Sequence, residues 1–137
     1  MTLEKKIAFL GGGNMAEALI RGLIAAGTAR PDHILVTDIS PDRLEHLRKT
    51  YDIIIQKSNL GAAREAGIIL LCVKPQVIEK VLGEVAPAID GTKLVISVAA
   101  GIAIAAACPQ KRALSTCHDI VLLSAKDKLT NVKIHSF

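Results

Sequence analysis

An apolar segment at residues 7–10 ends at three consecutive glycines, and a segment with helical periodicity follows them at once. This order is typical of the strand, tight loop and helix start of a dinucleotide-binding unit. Gly11 would permit the sharp turn, Gly13 would let the backbone approach a pyrophosphate, and Ala16 would keep the helix close to its strand. The sequence therefore predicts a phosphate-binding loop at the positive end of a helix dipole, with a purely structural glycine turn as the alternative.

Strand-like and helix-like segments alternate from the N-terminus to Val98. The predicted strands are residues 5–10, 33–37, 52–56, 68–73 and 94–98, and the predicted helices are residues 14–26, 41–49, 58–66 and 76–86. The uninterrupted apolar run at residues 68–73 indicates a strand buried on both faces. Half of all residues are apolar but only 2% are aromatic, so the core must be mainly aliphatic. The pattern predicts an α/β fold, a Rossmann-like doubly wound parallel sheet in a single domain.

Local signals predict how the first two helices begin, end and pack. Apolar residues at helical spacing predict a buried face on the first helix, formed by Met15, Ala18, Leu19, Gly22, Leu23 and Ala26. Gly27 is placed to end that helix as the residue after its C-cap. Ser40 before Pro41 predicts the start of the second helix, because serine is a favoured N-cap and proline suits the first helical position.

Asp38 closes the second predicted strand, roughly twenty residues beyond the glycine loop. An acidic side chain at this place can accept hydrogen bonds from the ribose hydroxyls of a dinucleotide. It can equally cap the loop that leads to Ser40 and Pro41. Both interpretations stay open from the sequence.

Charge and hydropathy disfavour two classes of partner. The formal net charge is +4, and the excess of basic residues lies mainly in the C-terminal part of the chain. These residues are scattered and lack aromatic side chains for base stacking, so no nucleic-acid partner is predicted. The longest uncharged run, residues 94–108, is short for a membrane span and fits a buried strand with its exit loop.

The cysteines and histidines carry no recognisable pattern. Cys72, Cys108 and Cys117 are an odd set without the spacing of a disulfide framework, so reduced thiols and a cytoplasmic protein are expected. The spacing of Cys108, Cys117, His118 and His135 matches no zinc-binding pattern. No metal site is therefore predicted.

Three segments together resemble the N-terminal domain of pyrroline-5-carboxylate reductase, the enzyme family of the last step of proline synthesis. They are Gly-Gly-Gly-Asn-Met-Ala-Glu-Ala at residues 11–18, Val-Lys-Pro-Gln at residues 73–76 and Ile-Ser-Val-Ala-Ala-Gly at residues 96–101. Their order and spacing agree with the family, and the resemblance covers roughly residues 4–104. It implies reduction of 1-pyrroline-5-carboxylate, a small cyclic imine, to L-proline with NADPH or NADH as the hydride donor.

The resemblance also implies where the cofactor lies. The glycine loop would hold the pyrophosphate, Asn59 would lie near the adenosine, and the Val-Lys-Pro and Ala-Ala-Gly segments would approach the nicotinamide half. With Asp38 added, the expected cofactor-binding residues are Leu10, Gly11, Gly12, Gly13, Asn14, Met15, Asp38, Asn59, Cys72, Val73, Lys74, Pro75, Ala99, Ala100 and Gly101. An exposed lysine at a strand end is the simpler alternative for Lys74. No acid, substrate clamp or nucleophile set is evident, so no catalytic residue is predicted.

Cofactor choice stays open because of one departure from the family. Family members mostly favour NADPH, but the Asp38 carboxylate would repel a 2′-phosphate and accept hydrogen bonds from a ribose diol. Arg43 would offset this repulsion if its helix turned it inward. Both NADH and NADPH are therefore retained.

The second departure is the C-terminal part of the chain. The family continues with a helical domain that dimerises and builds the substrate pocket, whereas residues 105–137 match none of its motifs. The expected domains are an NAD(P)-binding domain at residues 1–104 and a divergent tail with an extra strand at residues 119–124 and a mobile basic end. The chain alone is expected to bind a nucleotide without turnover. Two alternatives to a part of a pyrroline-5-carboxylate reductase stay open. The chain could be a nucleotide-binding module that has no catalytic role, or a part of a related imine or β-hydroxyacid reductase.

Overall fold

In the computed structural model, which describes residues 3–90, 92–98, 119–122 and 133–135, strands and helices alternate as predicted. The strands are β1 (Ile7–Leu10), β2 (Ile34–Thr37), β3 (Ile54–Ile55), β4 (Ile68–Leu71), β5 (Leu94–Ser97), β6 (Asp119–Leu122) and β7 (Lys133–His135). The helices are α1 (Asn14–Ala25), α2 (Pro41–Tyr51), α3 (Asn59–Glu65) and α4 (Ile78–Val85), with short 3-10 turns before β2 and on both sides of α4. None of these helices is long and apolar enough to cross a membrane.

The strands of the described residues form one sheet in the order β3-β2-β1-β4-β5-β6-β7. Neighbouring strands are parallel from β3 to β6, and β7 is antiparallel to β6. The strand order reverses at β1, because β2 lies on one side of it and β4 on the other. This topology confirms the predicted Rossmann-like doubly wound sheet.

Helices cover both faces of the sheet. Successive residues of β1 point to opposite faces, and each set packs against different helices. Ile7 and Phe9 belong to a buried cluster that includes residues of α1 and α2, whereas Ala8 and Leu10 belong to a cluster with residues of α3 and α4. All four residues of β1 are 2% exposed or less. The strand that leads into the glycine loop is therefore anchored on both sides.

The predicted buried face of α1 is wrong for most of its residues, although Leu19 and Leu23 are partly buried against the core. Ala16 and Ile20 are fully buried, whereas Met15, Ala18 and Gly22 are exposed. Apolar residues fill eight of the twelve positions of this helix, more than one face needs, so the helical period alone does not identify the buried face. As a result, Met15 points away from the core at the start of the helix.

The predicted helix ends agree with the structure. Gly27 follows the C-cap of α1 with φ +68, a conformation that glycine adopts without strain. The Ser40 hydroxyl accepts a hydrogen bond from the backbone N–H of Arg43 at 3.3 Å, and Pro41 is the first residue of α2. Ser40 and Pro41 thus fix the loop after β2, which borders the candidate site.

Two short strands extend the sheet beyond β5. The extra strand expected at residues 119–124 has its counterpart in β6, which pairs in parallel with β5. Residues 133–135 of the expected mobile end form β7, which pairs with β6 and covers its free hydrogen-bonding edge. The remaining residues of this tail lie outside the described ones.

Candidate functional site

The carboxyl ends of the central strands lie level with one another. Leu10 at the end of β1 is in register with Thr37 of β2 and with Leu71 of β4, and Leu71 is in register with Ser97 of β5. The loops that follow these strands therefore meet at one edge, around the point where the strand order reverses. A crevice at such a reversal is the usual ligand site of an open α/β sheet.

Gly11 leaves β1 with a left-handed backbone, φ +106. Its N–H donates to the carbonyl oxygen of Thr37 at 2.9 Å. A Cβ at Gly11 would lie 2.7 Å from the carbonyl oxygen of Cys72, closer than real Cβ contacts allow. The glycine therefore serves the predicted turn and also lets the loop pass against the chain that follows β4.

Gly12 is held from both sides by the chain that follows β2. Its N–H donates to Oδ2 of Asp38 at 2.7 Å, and its carbonyl oxygen accepts a hydrogen bond from Nε of Arg43 at 2.5 Å. A Cβ at this position would lie 3.0 Å from a methyl group of Leu47, so a larger residue fits only if that side chain moves. These contacts fix the middle of the glycine loop.

Gly13 is the N-cap of α1, and a Cβ built on it meets no atom within 4 Å. The Glu17 N–H donates to the Gly13 carbonyl oxygen at 3.0 Å, so the N–H groups of Asn14, Met15 and Ala16 precede the regular helical hydrogen bonds. Asn14 and Met15 are exposed. The positive end of α1 thus faces open space, which is the arrangement that binds phosphate in this fold.

The Asp38 carboxylate is fixed by two backbone N–H groups. Oδ2 accepts from Gly12 at 2.7 Å, and Oδ1 accepts from Ser40 at 2.8 Å. The loop-capping interpretation of Asp38 is therefore present in the structure. A ribose contact remains compatible with it, because each carboxylate oxygen has a second lone pair.

A cluster of polar side chains joins α1 to α2 beside the glycine loop. Glu17 accepts hydrogen bonds from Nη2 of Arg43 at 2.5 Å, from Nε2 of His46 at 3.0 Å and from the Tyr51 hydroxyl at 3.1 Å. The hydrogen bonds from His46 and then Arg43 lower the pKa of Glu17 to about 2, so this carboxylate is ionised at neutral pH. The sequence carries no signal for the roles of Glu17, His46 and Tyr51, because these contacts join residues 26 to 34 positions apart.

Asn59 begins α3 and reaches the end of β2. The Thr37 hydroxyl donates to Oδ1 of Asn59 at 2.5 Å, and Nδ2 of Asn59 donates to Oε2 of Glu84 at 2.8 Å. The residue therefore lies at the strand edge, next to the loop that carries Asp38. No signal in the sequence predicts the contact with Glu84, which lies 25 positions further along the chain.

The segment after β4 borders the glycine loop from the other side. Cys72 is half-buried, and burial raises the pKa of its thiol to about 12, so it is a neutral neighbour and not a thiolate. Val73 packs against the core, Lys74 is exposed, and Pro75 begins a 3-10 turn. The predicted residues 99–101 lie outside the described ones, directly after Val98.

Potential metal ligands do not come together in the part of the chain that the structure describes. No group of three or more His, Cys, Asp or Glu side chains there could hold a metal ion. Cys108, Cys117 and His118 lie outside the described residues.

Sequence comparison relates most of this chain to oxidoreductases. The family profile described as NADP oxidoreductase, coenzyme F420-dependent, matches residues 6–101. Pyrroline-5-carboxylate reductase of Corynebacterium melassecola is 46% identical over 103 residues, which cover 73% of this chain and 38% of that protein. The chain thus spans about 38% of the length of this curated relative.

Structural comparison gives the same relation. A pyrroline-5-carboxylate reductase from Coxiella burnetii superposes with a TM-score of 0.78 at 33% identity, covering 88% of this chain and 43% of that one. Pyrroline carboxylate reductase of Plasmodium falciparum, solved with NADP bound, superposes with a TM-score of 0.69 at 25% identity, covering 89% and 42%. These comparisons confirm the resemblance predicted from the three sequence segments.

Proposed function

The chain belongs to the family of coenzyme F420-dependent NADP oxidoreductases, and on that premise we propose that it binds NADPH or NADH and forms the cofactor-binding part of a pyrroline-5-carboxylate reductase. One observation carries the proposal above all others. The open space at Gly13 lies at the N-terminus of α1, which follows β1, the strand at which the strand order reverses. The similarity to reductases named for pyrroline-5-carboxylate supports the choice of substrate class.

The pyrophosphate contacts fall to the glycine loop. Gly13 leaves room for a phosphate, and the N–H groups at the start of α1 supply donors without a positively charged side chain. Gly11 and Gly12 contribute by position, since the hydrogen bonds from their N–H groups to the Thr37 carbonyl and the Asp38 carboxylate hold the loop in place. Leu10, buried at the end of β1, anchors the loop to the sheet.

The two ends of the dinucleotide would extend to opposite sides of this loop. Asp38 and Asn59, at the end of β2, would lie on the adenosine side, and residues 72–75 and 99–101 on the nicotinamide side. When bound, the cofactor supplies a hydride. The neutral Cys72 thiol would contribute packing there, because its pKa of about 12 makes it a weak acid and a poor nucleophile.

Substrate capture and proton delivery are assigned to the part of the relatives that lies beyond the match. Positioning of reactants can supply roughly 7–11 kcal/mol of a reaction barrier, and it requires walls on both sides of the reacting atoms. Among the described residues we assign no catalytic residue and no clamp for a substrate carboxylate. We expect oligomer contacts of the full-length enzyme to lie in that same further part.

We expect residues 1–137 to bind a nicotinamide dinucleotide but to reduce pyrroline-5-carboxylate only at background rate. Calorimetric titration with NADPH and NADH tests the first expectation, and a steady-state assay with the imine tests the second. Binding of neither nucleotide would refute the proposal. Robust turnover by the purified chain would show that it holds a substrate site of its own.

A chimera tests whether this chain can serve as the cofactor-binding part of such a reductase. Residues 1–104 would be joined to the part of the Corynebacterium melassecola relative that follows the matched segment. We expect this protein to reduce pyrroline-5-carboxylate with NADPH or NADH, and the same chimera with Gly13→Val to be inactive. A folded chimera that binds the nucleotide but does not reduce pyrroline-5-carboxylate would contradict the assignment.

A further inference from the structure

We infer that this chain selects NADH over NADPH. Asp38 places a carboxylate beside the glycine loop, and the nearby guanidinium of Arg43 is already paired with Glu17. The inference rests on the proposed dinucleotide site and specifies which form of the cofactor it takes. It separates this chain from a family whose description names NADP. Asp38, Arg43 and Glu17 carry the inference.

Asp38 is held at the end of β2 with its charge in place. The hydrogen bonds from the N–H groups of Gly12 and Ser40 use one lone pair on each carboxylate oxygen. They fix the side chain at the position from which an acidic residue contacts the ribose 2′-hydroxyl in dinucleotide folds. The remaining lone pairs can accept a hydrogen bond from that hydroxyl, but a 2′-phosphate offers them no donor when ionised.

Arg43 is engaged within the chain. Its Nε donates to the Gly12 carbonyl oxygen at 2.5 Å, and its Nη2 is paired with Oε2 of Glu17 at 2.5 Å. The side chains of Arg43 and Glu17 are only 25% and 20% exposed, so solvent screens this pair less than a surface ion pair. Glu17 also accepts hydrogen bonds from His46 and Tyr51, which hold it against α2.

The two cofactors meet different electrostatics at this edge. The ribose diol of NADH gains a charge-assisted hydrogen bond from Asp38. The 2′-phosphate of NADPH meets an uncompensated carboxylate, since the charge of Arg43 is already balanced by Glu17. A 2′-phosphate near Arg43 would have to share its guanidinium with the Glu17 carboxylate. We expect NADH to bind roughly tenfold more tightly than NADPH, which corresponds to about 1.4 kcal/mol.

The test is the ratio of the two dissociation constants, measured by calorimetry on residues 1–137 and on four variants. Asp38→Asn removes the charge, and Glu17→Gln removes the ionic partner of Arg43. Each should shift the ratio toward NADPH, by roughly tenfold for Asp38→Asn. The controls are Asp42→Asn in the first turn of α2 and Glu45→Gln, whose carboxylate pairs with Arg48 and Lys49, and both should leave the ratio unchanged.

The ratio separates selectivity from damage to the fold, because a distorted loop weakens both cofactors together. Tighter binding of NADPH by the unmodified chain overturns the inference, and so does an unchanged ratio in both Asp38→Asn and Glu17→Gln. If Asp38→Asn does not fold, the unmodified chain and Glu17→Gln still decide. Binding of neither cofactor by the unmodified chain refutes the proposed function itself, and this inference falls with it.

Discussion

Gly13→Val should lower the affinity for NADH and NADPH by roughly a hundredfold or more, equal to about 2.7 kcal/mol of binding free energy. The valine side chain would fill the space in front of the N-terminus of α1, where a phosphate has to approach the backbone. No atom lies within 4 Å of the new Cβ, so the fold should accept the substitution. The free energy of unfolding should change by no more than about 1 kcal/mol, the usual size of an N-cap effect.

Gly22→Val is the matched control for this variant. Gly22 lies within the same helix, and a Cβ on it also meets no atom within 4 Å. Calorimetric titration should therefore give unchanged dinucleotide affinity for Gly22→Val and no measurable binding for Gly13→Val. Equal affinities in the two variants would mean that the phosphates bind elsewhere.

Gly11→Ala should destabilise the protein by roughly 2–5 kcal/mol. At φ +106 any residue with a Cβ is strained, which costs about 1–2 kcal/mol, and forced overlap in a packed interior costs about 1–3 kcal/mol more. The atoms that the new Cβ would meet are the carbonyl carbon and oxygen of Cys72. Because these are backbone atoms of the segment after β4, they cannot rotate away as a side chain can.

Urea denaturation measures this effect, with Gly83→Ala as the control. Gly83 lies in α4, and a Cβ on it would meet no atom within 4 Å, so alanine there should be neutral or stabilising by up to about 1 kcal/mol. A loss below about 1 kcal/mol in Gly11→Ala would show that the loop relaxes and that the close approach to Cys72 does not constrain it.

Most of the fold was predictable from the sequence because strong local signals agree with the long-range order. The glycine loop follows an apolar strand, Ser40 and Gly27 mark helix ends, and the apolar run at residues 68–73 requires a strand covered on both faces. Short connections between alternating elements then leave a parallel sheet as the consistent solution. The strand order β3-β2-β1-β4-β5 follows this pattern.

The orientation of α1 was not predictable by periodicity. Its polar residues are Asn14, Glu17 and Arg21, and apolar residues fill the remaining positions apart from one glycine. The helix turns Ala16 and Ile20 to the sheet because small and branched side chains at those positions fit against β1 and β2. This choice depends on the shape of the sheet surface, which the sequence of the helix does not contain.

The site was predictable only in part, for a similar reason. The glycine loop and Asp38 carry sequence signals that are tied to their neighbours in the chain. The Glu17–Arg43 pair depends on how α1 packs against α2. The close approach of Gly11 to the Cys72 carbonyl depends on how the segments after β1 and β4 lie side by side. Asp38 illustrates the difference, since its loop-capping contacts are visible in the structure while its ribose contact remains a prediction.

The most direct test of the dinucleotide site is an NMR titration of isotopically labelled residues 1–137 with NADH and with NADPH. We predict saturable shifts that are largest at the amides of Gly13, Asn14 and Met15, because a phosphate bound there perturbs their N–H groups directly. The amides of Asp32 and His33, in the 3-10 turn before β2 at the opposite end of the strands, should not move. Saturable binding that leaves the Gly13, Asn14 and Met15 amides unmoved, or no binding up to about 1 mM of either nucleotide, would contradict the account.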